Sequence, residues 1–224
     1  MYIISMNIYK YRVYRSPNIG IFIRANDNYL FIPKGFAQSK AERLEEFLGV
    51  KSVRVSVAHT RLLGPLMVVN NKGILLARIA EDHEVENIRE ATKLNVTRLN
   101  SKFTAIGNLI AVNDRTAIVS PLLKELSEDI SSALDVDVVV MSIASYNQVG
   151  ALITCTNNGA VIHPKASDED ISRVRDALEV DVEPATVNGG VPFVSSGIIA
   201  NTKAIVVGSS TTGPEMVMLS RAFR

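Results

Sequence analysis

A chain of 224 residues with 24 Lys and Arg against 23 Asp and Glu has a formal net charge of +1 and no electrostatic case for general nucleic-acid binding. Its single cysteine excludes an internal disulfide framework and a cysteine-rich metal site, which points to a reducing compartment. Hydrophobic residues make up 47%, enough for a sizeable core, but with no tryptophan and 6% aromatics that core is expected to be Val, Ile, Leu and Ala.

Met1-Tyr2-Ile3-Ile4-Ser5-Met6 lacks the basic region, long apolar run and cleavage site of a secretory signal. No apolar run approaches the ~20 residues of a membrane span, so a cytoplasmic chain is expected, starting at Met1 or Met6. From Ile8 to Arg15 the residues Tyr9, Tyr11 and Val13 alternate with polar ones, which predicts a half-buried strand.

Asn18-Ile19-Gly20-Ile21 then opens the first of five similar segments. It continues through a polar turn at Asn26-Asp27-Asn28, a strand ended by Pro33, a helix over Ser39–Leu48 and a strand over Ser52–Val57. Ser39 and Glu42 have the spacing of a capping box. The second copy runs from Gly64 past Asn70-Asn71 into a helix over about Asp82–Leu94, with Arg78 near the place where other copies have proline. The third runs from Gly107 past Asn113-Asp114 and Pro121 into a helix carrying Leu126, Ile130 and Leu134. Its strand Val136–Ile143 is the most apolar of the set and is expected to lie deep.

The fourth copy states the template most fully. A strand from Gly150 is predicted to reach a tight Asn157-Asn158-Gly159 hairpin whose Asn and Gly tolerate positive φ. A strand over Ala160–Ile162 stops at Pro164. A helix from the cap Ser167 to Leu178 presents Ile171, Val174 and Leu178 on one stripe, and a strand over Val180–Glu183 closes the unit. The fifth copy has Gly197, strands at Gly197–Asn201 and Ala204–Val207, and a helix after Thr212, but no third strand.

The glycines Gly20, Gly64, Gly107, Gly150 and Gly197 are separated by 44, 43, 43 and 47 residues. Leu48-Gly49-Val50, Leu94-Asn95-Val96, Leu134-Asp135-Val136 and Leu178-Glu179-Val180 repeat as helix ends. A β-β-α-β unit of this size cannot cover its own apolar face, so the units are expected to stack into one domain. Their approximate bounds are 16–60, 61–103, 104–146, 147–192 and 193–224, with the N-terminal strand 8–15 completing the last. That completion would close the row into a ring and remove its open edges.

Five such units in a closed pseudo-fivefold ring, an α+β arrangement of the β/α propeller type, describe the pentein fold. Gly107-Asn108 with Asn113-Asp114, His163-Pro164-Lys165 with Ser167, Thr186-Val187-Asn188, Gly197 with Ala200-Asn201, and Thr211-Thr212-Gly213-Pro214-Glu215 resemble the archaeal translation initiation factor 6 family. The resemblance covers Asn18 to Phe223. It implies a monomeric, non-enzymatic factor without cofactor or metal. Such a factor binds the joining face of the large (50S) ribosomal subunit near the sarcin–ricin loop, keeps the small subunit away, serves subunit biogenesis and is released by other factors. The near-neutral charge fits docking largely on a ribosomal protein with limited RNA contact.

Two alternatives, a guanidino-group hydrolase using Cys155 and a ring-shaped scaffold for another macromolecular partner, are weaker. Pentein relatives include guanidino hydrolases with a cysteine nucleophile, but Cys155 lies in a first strand rather than near the C-terminal end, where theirs lies. His59, His83 and His163 share no metal-ligand spacing and are expected in different settings. Gly189-Gly190 and Gly208 lack the lysine-bearing phosphate-loop pattern and read as turns. A DNA clamp would need basic helices facing its bore, whereas Lys124, Glu125, Glu128, Asp129 and their counterparts are mixed or acidic. The loops before each repeat glycine are expected to cluster at one end of the ring, and with the residue just after it they supply the candidate ribosome-binding residues Asn18, Arg61, Pro65, Lys102, Asn108, Asn147, Asn188 and Phe193. Asn108 is the leading choice by its match to the family's Gly-Asn, and Phe193 is the candidate aromatic anchor.

Overall fold

The apolar stripe of each helix faces away from solvent only if a neighbouring unit covers it, and this requirement organises the chain. The computed structural model describes residues 6–223, so the N-terminal reading at Met1–Ser5 and the last residue, Arg224, lie outside the described residues. Five three-stranded sheets follow one another, each with a strand hairpin, a helix and a third strand parallel to the second. The first contains Arg24–Ala25, Tyr29–Pro33 and Lys51–Val55, with the helix Gln38–Leu48. The second contains Met67–Val69, Gly73–Ala77 and Asn95–Leu99, with the helix Asp82–Thr92. The third contains Ile110–Val112, Thr116–Val119 and Asp137–Val140, with the helix Ser127–Leu134, and the fourth Ile153–Cys155, Ala160–Ile162 and Val182–Pro184, with the helix Asp168–Leu178.

The fifth sheet is completed from the other end of the chain. Ile198–Ala200 and Ala204–Gly208 form its hairpin, and Asn7–Tyr11 pairs parallel to the second of these from Asn7 opposite Ala204 to Tyr11 opposite Gly208. Tyr9 stacks on Phe47 of the first helix with ring centres 4.1 Å apart, and Tyr11 meets the same ring edge-on. The first strands of successive units adjoin around an axis, and Ile198–Ala200 adjoins Arg24–Ala25 to close the circle. Each helix packs on the preceding unit's sheet, the first one on Ala204–Gly208, and the first four pack on their own sheet as well. The helix residues Leu44, Leu48, Ile130, Leu134, Val174, Leu178 and Leu219 are thereby fully enclosed. Burial of each such side chain stabilises by roughly 1.5–3 kcal/mol.

Two axial devices set the spacing of the units. At one end, a Cβ on Gly64 would stand 2.1 Å from Gly20 O, on Gly107 2.0 Å from Gly64 O, and on Gly150 2.4 Å from Gly107 O. A Cβ on Gly20 would stand 2.0 Å from Ser195 O, so the fifth member of this stack is Ser195 rather than the predicted Gly197. At the other end the hairpin turns interlock. Asn70 Nδ2 donates to Leu134 O (2.9 Å), Asn113 Nδ2 to Leu178 O (2.8 Å) and Asn201 Nδ2 to Leu48 O (2.9 Å), satisfying carbonyls that the helix ends leave without partners.

Several local expectations shift. The strand predicted from Gly150 starts at Ile153, because Val149–Leu152 forms a helical turn. None of Asn157, Asn158 and Gly159 has positive φ. Gly159 is required instead because Ala222 O would lie 1.8 Å from its Cβ. The first helix begins at Gln38 without a side-chain cap, and Ser39 lies inside it. The second ends at Thr92 with Lys93 in the left-handed region, so Leu94-Asn95-Val96 is not the helix end. The third strand of the third unit is half-buried at best, since the middle strands, such as Gly73–Ala77, take the deepest place. The N-terminal strand ends at Tyr11, and Gly208 belongs to a strand against Pro17 O and Asn188 Oδ1 rather than to a turn. The cap at Ser167 with Asp170, the helix Asp168–Leu178 and the strand Ala160–Ile162 form as expected. Among the described residues no helix is long and apolar enough to cross a membrane.

Removal of residues 1–14 should lower the melting temperature by about 10 °C or more, since the fifth sheet loses its outer strand and the first helix loses its aromatic lid. An unchanged transition would refute closure of the ring. Gly107→Ala should cost roughly 3 kcal/mol through the clash with Gly64 O. Gly213→Ala, where nothing lies within 4 Å of the added carbon, serves as the neutral control in the same denaturation series.

Candidate functional site

The glycine end of the axis carries a bowl of about 350 Å³. Its wall is made by the residues that follow the stacked positions, namely Ile21, Pro65, Asn108, Ala151 and Ser196, with Phe193 at the rim. These side chains converge because the backbones behind them touch, with no Cβ between successive units at the glycine positions.

Four of the five loops leading into the bowl are built alike, the exception being the one before Gly107. Val13 bridges Ser16, Val57 bridges Thr60, Ile143 bridges Tyr146, and Val187 bridges Val191. Between them Tyr14-Arg15, Ala58-His59, Ala144-Ser145 and Asn188-Gly189 hold positive φ. Such paired left-handed residues cost strain in anything but glycine or asparagine, and three of the four turns are restrained by a carboxylate from the start of a helix. Glu84 accepts from the Ala58 and His59 amides (2.7 and 3.1 Å), and Asp170 accepts from Ala144 N (3.1 Å). Glu215 accepts from Gly189 N (3.1 Å), Gly190 N (2.8 Å) and Thr186 Oγ1 (2.8 Å). The fourth unit's turn thus hangs on the fifth unit's helix.

Burial by itself would raise the Glu215 carboxyl, but hydrogen bonds from Thr212, Thr186, Gly190 and Gly189 outweigh it and bring the pKa down to about 2. Glu84 is lowered likewise: burial opposes the shift, and amides of Glu81, His59 and Ala58 overcome it.

Of the predicted residues, Pro65, Asn108 and Phe193 meet at the bowl. Arg61 is exposed, with its guanidinium 5.3 Å from the Tyr14 ring centre, and Lys102 is exposed beside Phe103. Three asparagines are occupied within the fold. Asn188 Nδ2 donates to Pro17 O (3.0 Å) and to Asn18 Oδ1 (3.3 Å), so Asn188 and Asn18 fasten the fourth unit's last loop to the first unit. Asn147 Oδ1 accepts from Ser142 Oγ (3.1 Å).

Sequence reasoning missed Tyr14, Leu62 and Tyr146, which lie exposed on the same loops. Tyr146, His163 and Phe193 form one aromatic cluster with ring centres 5.6–6.4 Å apart. Burial, and then Lys165, lower the pKa of His163. The recurrence of an exposed apolar residue a few positions before the stacked ones, in every unit but the third, was the available signal. His59 and His83, expected in different settings, both contact Glu81, at 2.6 and 3.2 Å. The left-handed turn at Ala58-His59 lies over the helix that bears His83, which brings them together.

Cys155 faces the axial channel, which is also lined by Ile153, Met67 and Ile110. Burial pushes its thiol up to about 12, with the Arg24 charge opposing and Asp114 assisting. A thiol so held is protonated at neutral pH and is no ready nucleophile.

A family model described as the eIF-6 family matches residues 8–222 of this chain. A protein of Cenarchaeum symbiosum named translation initiation factor 6 is 51% identical over 219 residues, covering 97% of this chain and 99% of that one. A protein of the same name from Nitrosopumilus maritimus is 48% identical, covering 97% and 99%, and one from Pyrococcus horikoshii is 36% identical, covering 97% and 98%.

The depressed carboxyl of Glu215 contributes stability that is complete above its unfolded value near 4.5 and is lost as pH falls towards about 2. Glu215→Gln should therefore lower the melting temperature at pH 7, and the difference from the unsubstituted protein should shrink below pH 4. A pH-independent difference would show that the carboxylate charge is not what holds the turn.

Proposed function

The chain belongs to the eIF-6 family, and on that premise we propose that it binds the large (50S) ribosomal subunit through the glycine-end face and thereby blocks joining of the small subunit. A role in translation follows from the family itself. The finer reading is supported by one observation above all: exposed Tyr14, Leu62, Tyr146 and Phe193 lie on the loops around the bowl at that end. Exposed apolar residues gathered on restrained loops mark a surface that another macromolecule covers. Aromatic anchors at its centre are the residues expected to dominate the affinity.

The mechanism needs no chemical step. A domain of this length has a radius of gyration of about 17 Å, hence a body about 45 Å across. Held on the joining face, a body of that size occupies space the small subunit must enter. Rigidity serves this purpose, since a face whose turns are already restrained loses little conformational entropy on docking.

The partner at this face is best read as a ribosomal protein near the sarcin–ricin loop. The charges available there are few, Arg15, Arg61 and Lys102 on the loops and Arg24 within the bowl, so contact with RNA would be limited. Other translation factors would release it, and it would act as a monomer with a further part in subunit biogenesis. The guanidino-hydrolase reading loses support, because the Cys155 thiol is neutral and the groups that shift it include no histidine.

Phe193→Ala and Asn108→Arg should each weaken co-sedimentation with purified large subunits at least tenfold, about 1.4 kcal/mol. Melting temperatures should stay within about 2 °C, because Phe193 is exposed and Asn108 opens onto the bowl. If both variants bind as well as the unsubstituted protein, the docking face lies elsewhere.

A further inference from the structure

The glycine-end bowl has a cation in its floor. Arg24 rises from the first inner strand into the axial channel, half-buried by area but with its guanidinium deep enough to be desolvated, and it lines both the channel and the bowl. Its Nε and Nη2 donate to Gly64 O at 3.2 and 2.6 Å. A guanidinium has five N–H donors, so the others remain for a ligand. Among the described residues no carboxylate forms an ion pair with it. Burial lowers its pKa to about 10, which still leaves it charged at neutral pH, and the neighbouring Cys155 thiol is neutral and supplies no counter-charge.

An enclosed, uncompensated cation is costly, and an anion that enters with its partner removes that cost. We propose that the bowl seats an acidic side chain, Asp or Glu, of the polypeptide that docks on this face, with the carboxylate on Arg24. This deepens the docking reading above and rests on it. The lining favours a protein side chain over an RNA phosphate. Ile21, Pro65 and Ala151 set mostly apolar surface around Arg24, the one charged residue of the bowl, so a sugar–phosphate backbone would bring flanking phosphates against a wall with no second cation to meet them. A single side chain entering from above can reach Arg24, and the apolar wall around it suits the methylenes of Glu or the flanks of Asp. Exclusion of water by that wall strengthens the charge-assisted hydrogen bond. Asn108 and Gln148 are among the polar side chains of the bowl and could orient the second oxygen, whereas the Ser196 hydroxyl already donates to Phe193 O.

Two measurements test the seat. In the first, the Nε–Hε resonance of Arg24 in the free protein, assigned by its loss in Arg24→Lys, is followed by NMR during titration with sodium acetate, acetamide or inorganic phosphate. It should shift with millimolar acetate and not with acetamide. No response to acetate would overturn the proposal, and a stronger response to phosphate than to acetate would assign the seat to an RNA backbone and overturn it equally.

In the second, unsubstituted protein, Arg24→Lys and Arg24→Gln are sedimented with salt-washed large subunits between 50 and 300 mM KCl, with melting temperatures recorded alongside. Arg24→Gln should bind at least tenfold more weakly with a shallower salt dependence, and Arg24→Lys should recover most of the loss. Equal loss in both variants would reduce Arg24 to a packing residue on Gly64 O, and no loss in either would end the idea. Failure of the unsubstituted protein to bind large subunits would overturn the docking reading alone, because the acetate titration judges the seat by itself.

Discussion

The structure depends on backbones that touch. Around one end of the axis Gly20, Gly64, Gly107 and Gly150 each lie where a side-chain carbon would be driven into the carbonyl of the unit before. Dispersion and close packing are short-ranged, so this contact fixes the radius of the ring to a fraction of an ångström. The inner strands can then adjoin with only a narrow channel between them. The helices follow, because a sheet held at that radius leaves a slot of one helix diameter between itself and the next.

A second circuit, made of hydrogen bonds, ties the far end. Asp27 N donates to Asn71 Oδ1, Asn71 N to Asp114 Oδ1, and Asp114 N to Asn157 Oδ1. Thr202 N returns the circuit to Asp27 Oδ1, and Asn158 Nδ2 reaches Thr202 O to span the remaining seam. Each turn satisfies an amide of its neighbour, and one ring in from it the amides of Asn70, Asn113 and Asn201 cap the next unit's helix. Polar groups that would be orphaned at helix ends become the links between units. The two circuits leave little freedom for one unit to tilt against another.

The opposite face inherits that rigidity. Its turns use left-handed backbone at Tyr14, Ala58, Ala144 and Asn188, and in the last three turns carboxylates from helix starts hold the amides of Ala58, Ala144 and Gly189 in place. Apolar side chains raised on restrained turns, around a bowl with a charged floor, form a surface shaped before any partner arrives. A factor whose effect comes from occupying space gains from such a surface. On the docking proposed above, such a surface would have little to rearrange on binding, and its selectivity would rest on shape and on the charge of Arg24.

The period, the content of each unit and the completion of the fifth sheet by the first strand were all legible in the chain. Such signals are local: alternation at Tyr9, Tyr11 and Val13, the cap at Ser167 with Asp170, and the stripe Ile171, Val174, Leu178 each depend on hydrogen bonds and burial within about a dozen residues. Which of Ser195 and Gly197 belongs in the axial stack was not legible, because the deciding contact is with Gly20, far away in sequence. The same holds for Asn18 and Asn188, which look like free surface amides but find each other only once the ring closes. Pairing of Arg24 with Gly64 O, and of Glu215 with the Gly189-Gly190 amides, was likewise settled by tertiary structure. Periodicity states what each unit contains, whereas contacts between units are set by packing distances that no pattern within a single unit encodes.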